Sequence, residues 1–208
     1  MFIKFISKLS DFTLPGKKAH FLAVPSKDRL KRISKLKFNI KKVKKAAVLI
    51  YCYPNNDKMF FSLIKRSDYN GVHSGQICLP GGKLEKNDKS LKDTAIRECS
   101  EELGISIDSD KDLFPLTPLY IPVSNFLVSP YLAHESFYPI FNPNFKEVAL
   151  HIELSINQLM KLKIEKKKLK YELDTDSKIP CYTYQKHIIW GATAMILSEF
   201  KFLLASTK

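Results

Sequence analysis

Three glutamates in one short stretch raise the first chemical question. Glu98, Glu101 and Glu102 stand at i, i+3 and i+4. On a helix they fall within an arc of ~100°. Like charges so placed repel and weaken the helix that carries them. Arg97, four residues before Glu101, can compensate one carboxylate but not three. A divalent cation neutralises all of them, and hard oxygen donors completed by water and phosphate oxygens suit Mg²⁺. A cation held there lowers the pKa of a water and offsets phosphoryl charge. The competing explanation is a solvated acidic face, common enough that a bare E-x-x-E-E would favour it.

The residues before the acidic stretch change that balance. The run Gly81 to Ile105 reads GGKLEKNDKSLKDTAIRECSEELGI. Gly81-Gly82 follows a short apolar segment and predicts a sharp turn that sets the acidic helix beside a sheet and close to a bound molecule. Ser90 is a suitable N-cap, and Gly104 stands where a left-handed C-terminal glycine is expected. The helix therefore spans residues 90–103. Ile96, Cys99 and Leu103 form an apolar sector beside the carboxylates, so one side can pack while another presents charge.

Other elements must position this helix. Ala46 to Tyr53 and Met59 to Ile64 are apolar runs around Pro54-Asn55-Asn56-Asp57, which predicts a hairpin in a core sheet. Short strands are expected at Gln76–Leu79, Leu119–Pro122, Phe126–Leu132 and Glu147–Glu153. A helix is expected to begin at Ile156 and run to Leu162. Ile188 to Leu204 reads as a closing amphipathic helix with Ala194, Ile196, Leu197, Phe200 and Leu204 for the core. Lys161 to Lys170 reads as a solvated basic surface segment. The mixed order of strands and helices predicts an α/β sandwich.

Composition narrows the function classes. The chain has 208 residues and a net charge of +13. Residues 1–50 hold 14 Lys+Arg against 2 Asp+Glu, so the basic excess is almost wholly N-terminal. Its densest part, Lys27 to Lys45, lacks the interleaved aromatics that stack bases, which argues against a nucleic-acid partner. A solvated basic arm with short helical pieces is expected at residues 1–44. Contact with an anionic substrate, a membrane surface or RNA is the functional alternative. No apolar run reaches bilayer length. Met1 to Ser10 lacks the apolar stretch and cleavage site of a secretory signal, so a cytoplasmic protein is expected. Cys52, Cys78, Cys99 and Cys181 form no C-x-x-C pair and read as small apolar residues.

The stretch Arg97-Glu98-Cys99-Ser100-Glu101-Glu102-Leu103-Gly104-Ile105 resembles the second half of the Nudix hydrolase signature, R-E-U-x-E-E-x-G-U with U aliphatic. In the first half, Asp88 takes the acidic slot after Gly82, one residue further from Arg97 than usual. Upstream, Ser62-Leu63-Ile64-Lys65-Arg66-Ser67, then Gly75 and Leu79-Pro80-Gly81-Gly82, is similar to the motif of the coenzyme A pyrophosphatase subgroup. Ser62, Ile64, Gly71 and Leu79 depart from it, and Gly71 stands where an arginine is expected. Pro122 to Phe126 and Ile189 to Ala194 also look like this subgroup.

The resemblance implies a Nudix-type α/β/α sandwich with a mixed sheet, with residues 45–208 as the hydrolase domain. It implies Mg²⁺ or Mn²⁺ on Glu98 and Glu102, with Glu101 as a further ligand. It implies catalytic roles for Glu98 and Glu147, the two candidates for general base, and for Arg97 as the group that orients the glutamates. Arg66, Ser67, Gly75, Gly81 and Gly82 would line the substrate. The implied reaction cuts the diphosphate of coenzyme A or its acyl derivatives into phosphopantetheine and adenosine 3′,5′-bisphosphate. ADP-ribose, NADH and nucleoside triphosphates remain alternative substrates. A non-catalytic Nudix module that binds a ligand or RNA is the alternative of another class. The oligomeric state stays open, a homodimer included.

Overall fold

The structure, a computed structural model, describes residues 5–24, 43–68, 73–169 and 178–206. The chain divides into two compact units, residues 42–160 and residues 1–41 with 161–208.

The first unit is built on a mixed sheet of eight strands among the described residues. They are β1 (Lys44–Asn55), β2 (Lys58–Arg66), β3 (Ile77–Cys78), β4 (Gly81–Lys83), β5 (Phe114–Pro115), β6 (Leu119–Ile121), β7 (Phe126–His134) and β8 (Val148–Ser155). Strands β1 and β2 form the expected hairpin. Its turn is tighter than the four residues expected, with only Asn56 and Asp57 at positive φ, 45° and 58°. That pair of left-handed residues gives a two-residue turn matching strand twist. Pro54 stays in β1 because the parallel pairing with β7 ends at Cys52, so its missing N–H leaves that ladder intact. Every other strand pair is antiparallel, with β8 and β3 on β2, and β4 on β1.

Gly81-Gly82 corrects an expectation. The pair forms strand β4, not a sharp turn, and Gly81 and Gly82 lie opposite Val48 and Ala47 of β1. A Cβ on Gly81 would stand 2.3 Å from the Ala47 carbonyl oxygen. These glycines serve close approach of backbones.

Helices are numbered α1 (Lys17–His20), α2 (Leu91–Leu103), α3 (Ile156–Lys161) and α4 (Gly191–Ala205). Helix α2 is the acidic helix. The Ser90 hydroxyl accepts from the Asp93 N–H at 3.2 Å. Gly104 closes the helix at φ 61°, with its N–H on the Ser100 carbonyl. Ala95, Ile96, Cys99 and Leu103 are buried against Ala47, Leu49, Tyr51 and Tyr53. Burying a large apolar side chain stabilises by about 2 kcal/mol, whereas each i, i+4 repulsion costs only a few tenths, about 0.2–0.5 kcal/mol. Packing therefore holds a helix whose charges oppose it.

In the second unit, β9 (Glu165–Lys167), β10 (Ile179–Tyr184) and β11 (His187–Trp190) form a small antiparallel sheet. Two expectations change here. Residues 188–190 belong to β11, and α4 starts only at Gly191. The run Ile188-Ile189-Trp190 pairs with Thr183, Tyr182 and Cys181, and Gly191 at φ 61° breaks the strand into the helix. Within Lys161–Lys170, residues 165–167 form a strand on β10, although most lysines there are exposed. Ala194, Ile196, Leu197, Phe200 and Leu204 of α4 are buried as expected. A buried His20–Glu199 pair at 3.0 Å joins α1 to α4. Short helical turns lie at 9–11 and 17–23. The basic run Lys27–Lys45 lies outside the described residues up to position 42. No helix of the described residues is long and apolar enough to cross a membrane.

Candidate active site

The three glutamates of α2 are not equivalent. The Glu102 side chain is 1% exposed, that of Glu98 15%, and that of Glu101 57%. A solvated acidic face describes Glu101 alone. The reason is the position of each on the arc: Glu102 follows the packed sector of Ala95, Cys99 and Leu103, and Glu101 lies furthest from the sheet.

Glu102 is held from two sides. The Gly81 N–H donates to its Oε2 at 2.8 Å. Arg66 Nη1 approaches its Oε1 at 3.5 Å, long for a hydrogen bond, so the attraction is mainly of charge. Burial pushes the Glu102 carboxyl up to about 8, opposed by Gly81 and Arg66 and reinforced by the negative charges of Glu98 and Glu147. Glu98 is also raised by burial, opposed by Arg97 and reinforced by Glu101 and Glu147. Glu98, Glu102 and Glu147 thus share one electrostatic environment, although they come from α2 and the turn before β8. Gly82 makes room for it: a Cβ there would lie 2.4 Å from the Glu98 carboxylate.

Arg97 organises the outer edge. Its Nε and Nη2 donate to the two oxygens of Asp88 at 2.9 and 3.0 Å. Its Nη1 meets Glu98 at 3.0 Å and Glu101 at 3.1 Å. The paired guanidinium holds the Asp88 carboxyl well below the usual carboxylate range. Asp88 also accepts from the Glu85 N–H and the Thr94 hydroxyl, both at 2.9 Å. The chain turns at Glu85–Asp88, where the Asp88 N–H donates to the Glu85 carbonyl at 3.2 Å, and this turn presents Asp88 to the Arg97 fork.

The remaining sequence-derived positions divide. Ser67 donates its N–H to the Glu147 carbonyl at 2.9 Å and so joins the site. Gly75 stands apart in the turn before β3, where a Cβ would meet the Asp68 carboxylate at 3.0 Å. Gly71 lies outside the described residues. Two residues were not singled out as site members from sequence. Cys78 lies beside Arg66 and Glu102, and burial pushes its thiol up to about 12. Asn144 donates its side-chain N–H to Glu147 Oε1 at 3.2 Å. Its place in an Asn-Pro-Asn loop was the available signal.

Among the described residues, no three His, Cys, Asp or Glu side chains converge closely enough to hold a metal unaided. The donor set nonetheless fits a hard divalent cation. Its members are carboxylates, two of them largely buried and mutually repelling, and substrate phosphates and water supply the further oxygens such ions require.

A pH effect follows in chelator-treated protein. Glu102 has a folded value near 8, above its ordinary 4.5. Its contribution to stability is therefore complete below 4.5 and is lost as pH rises towards about 8. Glu102→Gln is expected to remove that part of the decline, read as the difference in Tm between the two proteins across this range.

The comparisons with known proteins agree with this geometry. The family model for the NUDIX domain matches residues 43–162. The uncharacterized Nudix hydrolase NudL of Pectobacterium atrosepticum is 33% identical over 163 residues, covering 75% of this chain and 80% of that one. The protein of the same description from Yersinia enterocolitica is 33% identical over 159 residues, covering 73% and 77%. A MutT/nudix family protein from Enterococcus faecalis shares the fold, with a TM-score of 0.56 at 15% identity over 93% of this chain and 76% of that one. The chain belongs to the Nudix family. It is a hydrolase of the pyrophosphatase type, a class that acts on small nucleotide substrates with divalent metal ions.

Proposed function

We propose that the protein hydrolyses the diphosphate of coenzyme A or its acyl derivatives, releasing phosphopantetheine and adenosine 3′,5′-bisphosphate. The observation that carries the reading is the buried Glu102, clustered with Glu98, Glu147 and Arg66 against strand β4. The choice of coenzyme A is supported by the upstream residues Arg66, Ser67, Gly75 and Leu79 to Gly82, whose spacing matches that subgroup.

Glu98 and Glu102 would hold Mg²⁺ or Mn²⁺ in this reading, with Glu101 as a further ligand. Such an ion would offset diphosphate charge and favour ionisation of a water. Arg97, anchored on Asp88, keeps Glu98 and Glu101 in register. Arg66 would be the fork for a substrate phosphate. Glu147, from the adjacent loop, is the preferred base for the water proton, with Glu98 the other candidate. Gly81 and Gly82 let substrate and carboxylates approach the β4 backbone.

Gly82→Ala tests the close approach. The added methyl meets the end of a flexible side chain, so Tm is expected to change little. Displacing the Glu98 carboxylate is expected to lower kcat about a hundredfold, the scale of a misplaced reacting group.

The substrate is tested by incubating the full chain and Mg²⁺ with coenzyme A, ADP-ribose, NADH and nucleoside triphosphates, with products read by mass. Preferential release of phosphopantetheine is the expected result. Preferential turnover of another compound would overturn the coenzyme A assignment and keep the enzyme class. Salt-sensitive RNA binding without turnover would indicate a binding module.

A further inference from the structure

We propose that Asn144 is a positioning residue that aims the Glu147 carboxylate at the reacting water. The inference rests on the assignment of Glu147 as general base. Glu147 is exposed, so packing does not hold its side chain in place and ordering it needs a polar partner. An unanchored glutamate there would turn to solvent.

Asn144 opposes that turn with an uncharged donor. Its Nδ2 donates to Glu147 Oε1 at 3.2 Å, while its Oδ1 accepts the Lys146 N–H at 3.2 Å. Only one orientation of the amide satisfies both bonds, because the backbone N–H must face the oxygen. The Asn144 carbonyl accepts from the N–H groups of Glu147 and Val148 at 2.9 and 2.8 Å.

The same loop is fastened to the acidic helix. The Asn142 N–H donates to the Leu103 carbonyl at 3.0 Å, and the Asn144 N–H to the Glu102 carbonyl at 3.1 Å. These carbonyls are among the last of α2, which have no partner within the helix. From the other side, Ser67 holds the Glu147 carbonyl. Asn144 therefore links the backbone of Glu102 to the carboxylate of Glu147 through one residue, and fixes the base relative to the metal-binding helix.

The test uses the full chain, Mg²⁺ and the substrate turned over fastest in the panel above. Asn144→Asp keeps an acceptor for Lys146 but replaces the donor with a repelling oxygen. It is expected to lower kcat by about ten- to a hundredfold, with KM within about twofold and Tm nearly unchanged. Added to Glu147→Gln it should cost nothing further, because residues acting through one group are not additive. Should Asn144→Asp fail to fold, Asn144→Ser supplies a neutral loop acceptor for the same comparison. A kcat near wild type in the Asn144 variant would overturn the proposal. So would a loss that recurs in full on top of Glu147→Gln, which marks a structural role. A wild-type kcat in Glu147→Gln alone would remove the base assignment, and the proposal with it.

Discussion

Glu102→Gln is expected to reduce kcat about a thousandfold or more, equivalent to about 4 kcal/mol of transition-state stabilisation, while the protein remains folded. The amide retains an acceptor for the Gly81 N–H but supplies no negative charge to a cation. It also removes the cost of ionising a carboxyl that burial has pushed up to about 8. Without metal and above that pH, the variant should therefore be more stable than the wild type. Loss of activity together with a gain in stability distinguishes a site that stores electrostatic strain for function from a residue that merely holds the fold. Steady-state kinetics and thermal unfolding of the same samples check both halves.

Gly104→Ala is expected to have the largest effect on stability. Its φ of 61° already costs an L-residue about 1–2 kcal/mol. The added Cβ would also stand 1.8 Å from the Asn142 carbonyl oxygen, an atom of backbone that cannot swing aside. A loss of about 3 kcal/mol or more is expected, which lowers Tm by roughly 6–12 °C in a domain of this size. The helix end and the 142–144 loop must separate, so the displaced loop should carry Glu147 with it. Activity is then expected to fall even at temperatures where the variant is folded. The contrast with Gly82→Ala is informative, because there the obstructed atom belongs to a flexible side chain.

The acidic helix was legible because its signals are local. Ser90, Gly104 and the sector of Ile96, Cys99 and Leu103 lie within fifteen residues and specify start, stop and packed face. The β1–β2 hairpin was legible for the same reason. Other features depend on partners far along the chain. Gly81-Gly82 reads as a turn until Ala47 and Glu98 are seen to crowd both residues. Ile188 to Trp190 suits a helix as well as a strand, and pairing with residues 181–183 decides it.

The site was legible as a set of residue types, and less so as a division of labour. Periodicity puts Glu98, Glu101 and Glu102 on one face, but it does not say that one is buried, one half-covered and one in water. That follows from the depth at which α2 packs on β1. Asp88 looked like a displaced member of the signature. The turn at Glu85 explains how an aspartate one residue further away still reaches Arg97 with both oxygens. Asn144 carried no chemistry in the sequence beyond a loop signal, and its hydrogen bonds to Glu102 and Glu147 depend on the loop's return to the end of α2.

The most direct test of metal-dependent diphosphate hydrolysis is turnover of coenzyme A with Mg²⁺ in heavy-oxygen water, wild type against Glu102→Gln, with products weighed by mass spectrometry. The account predicts phosphopantetheine and adenosine 3′,5′-bisphosphate, one heavy oxygen on one of the two phosphates that formed the diphosphate, and loss of both products in the variant. Cleavage that persists in Glu102→Gln, or products with no heavy oxygen, would contradict it.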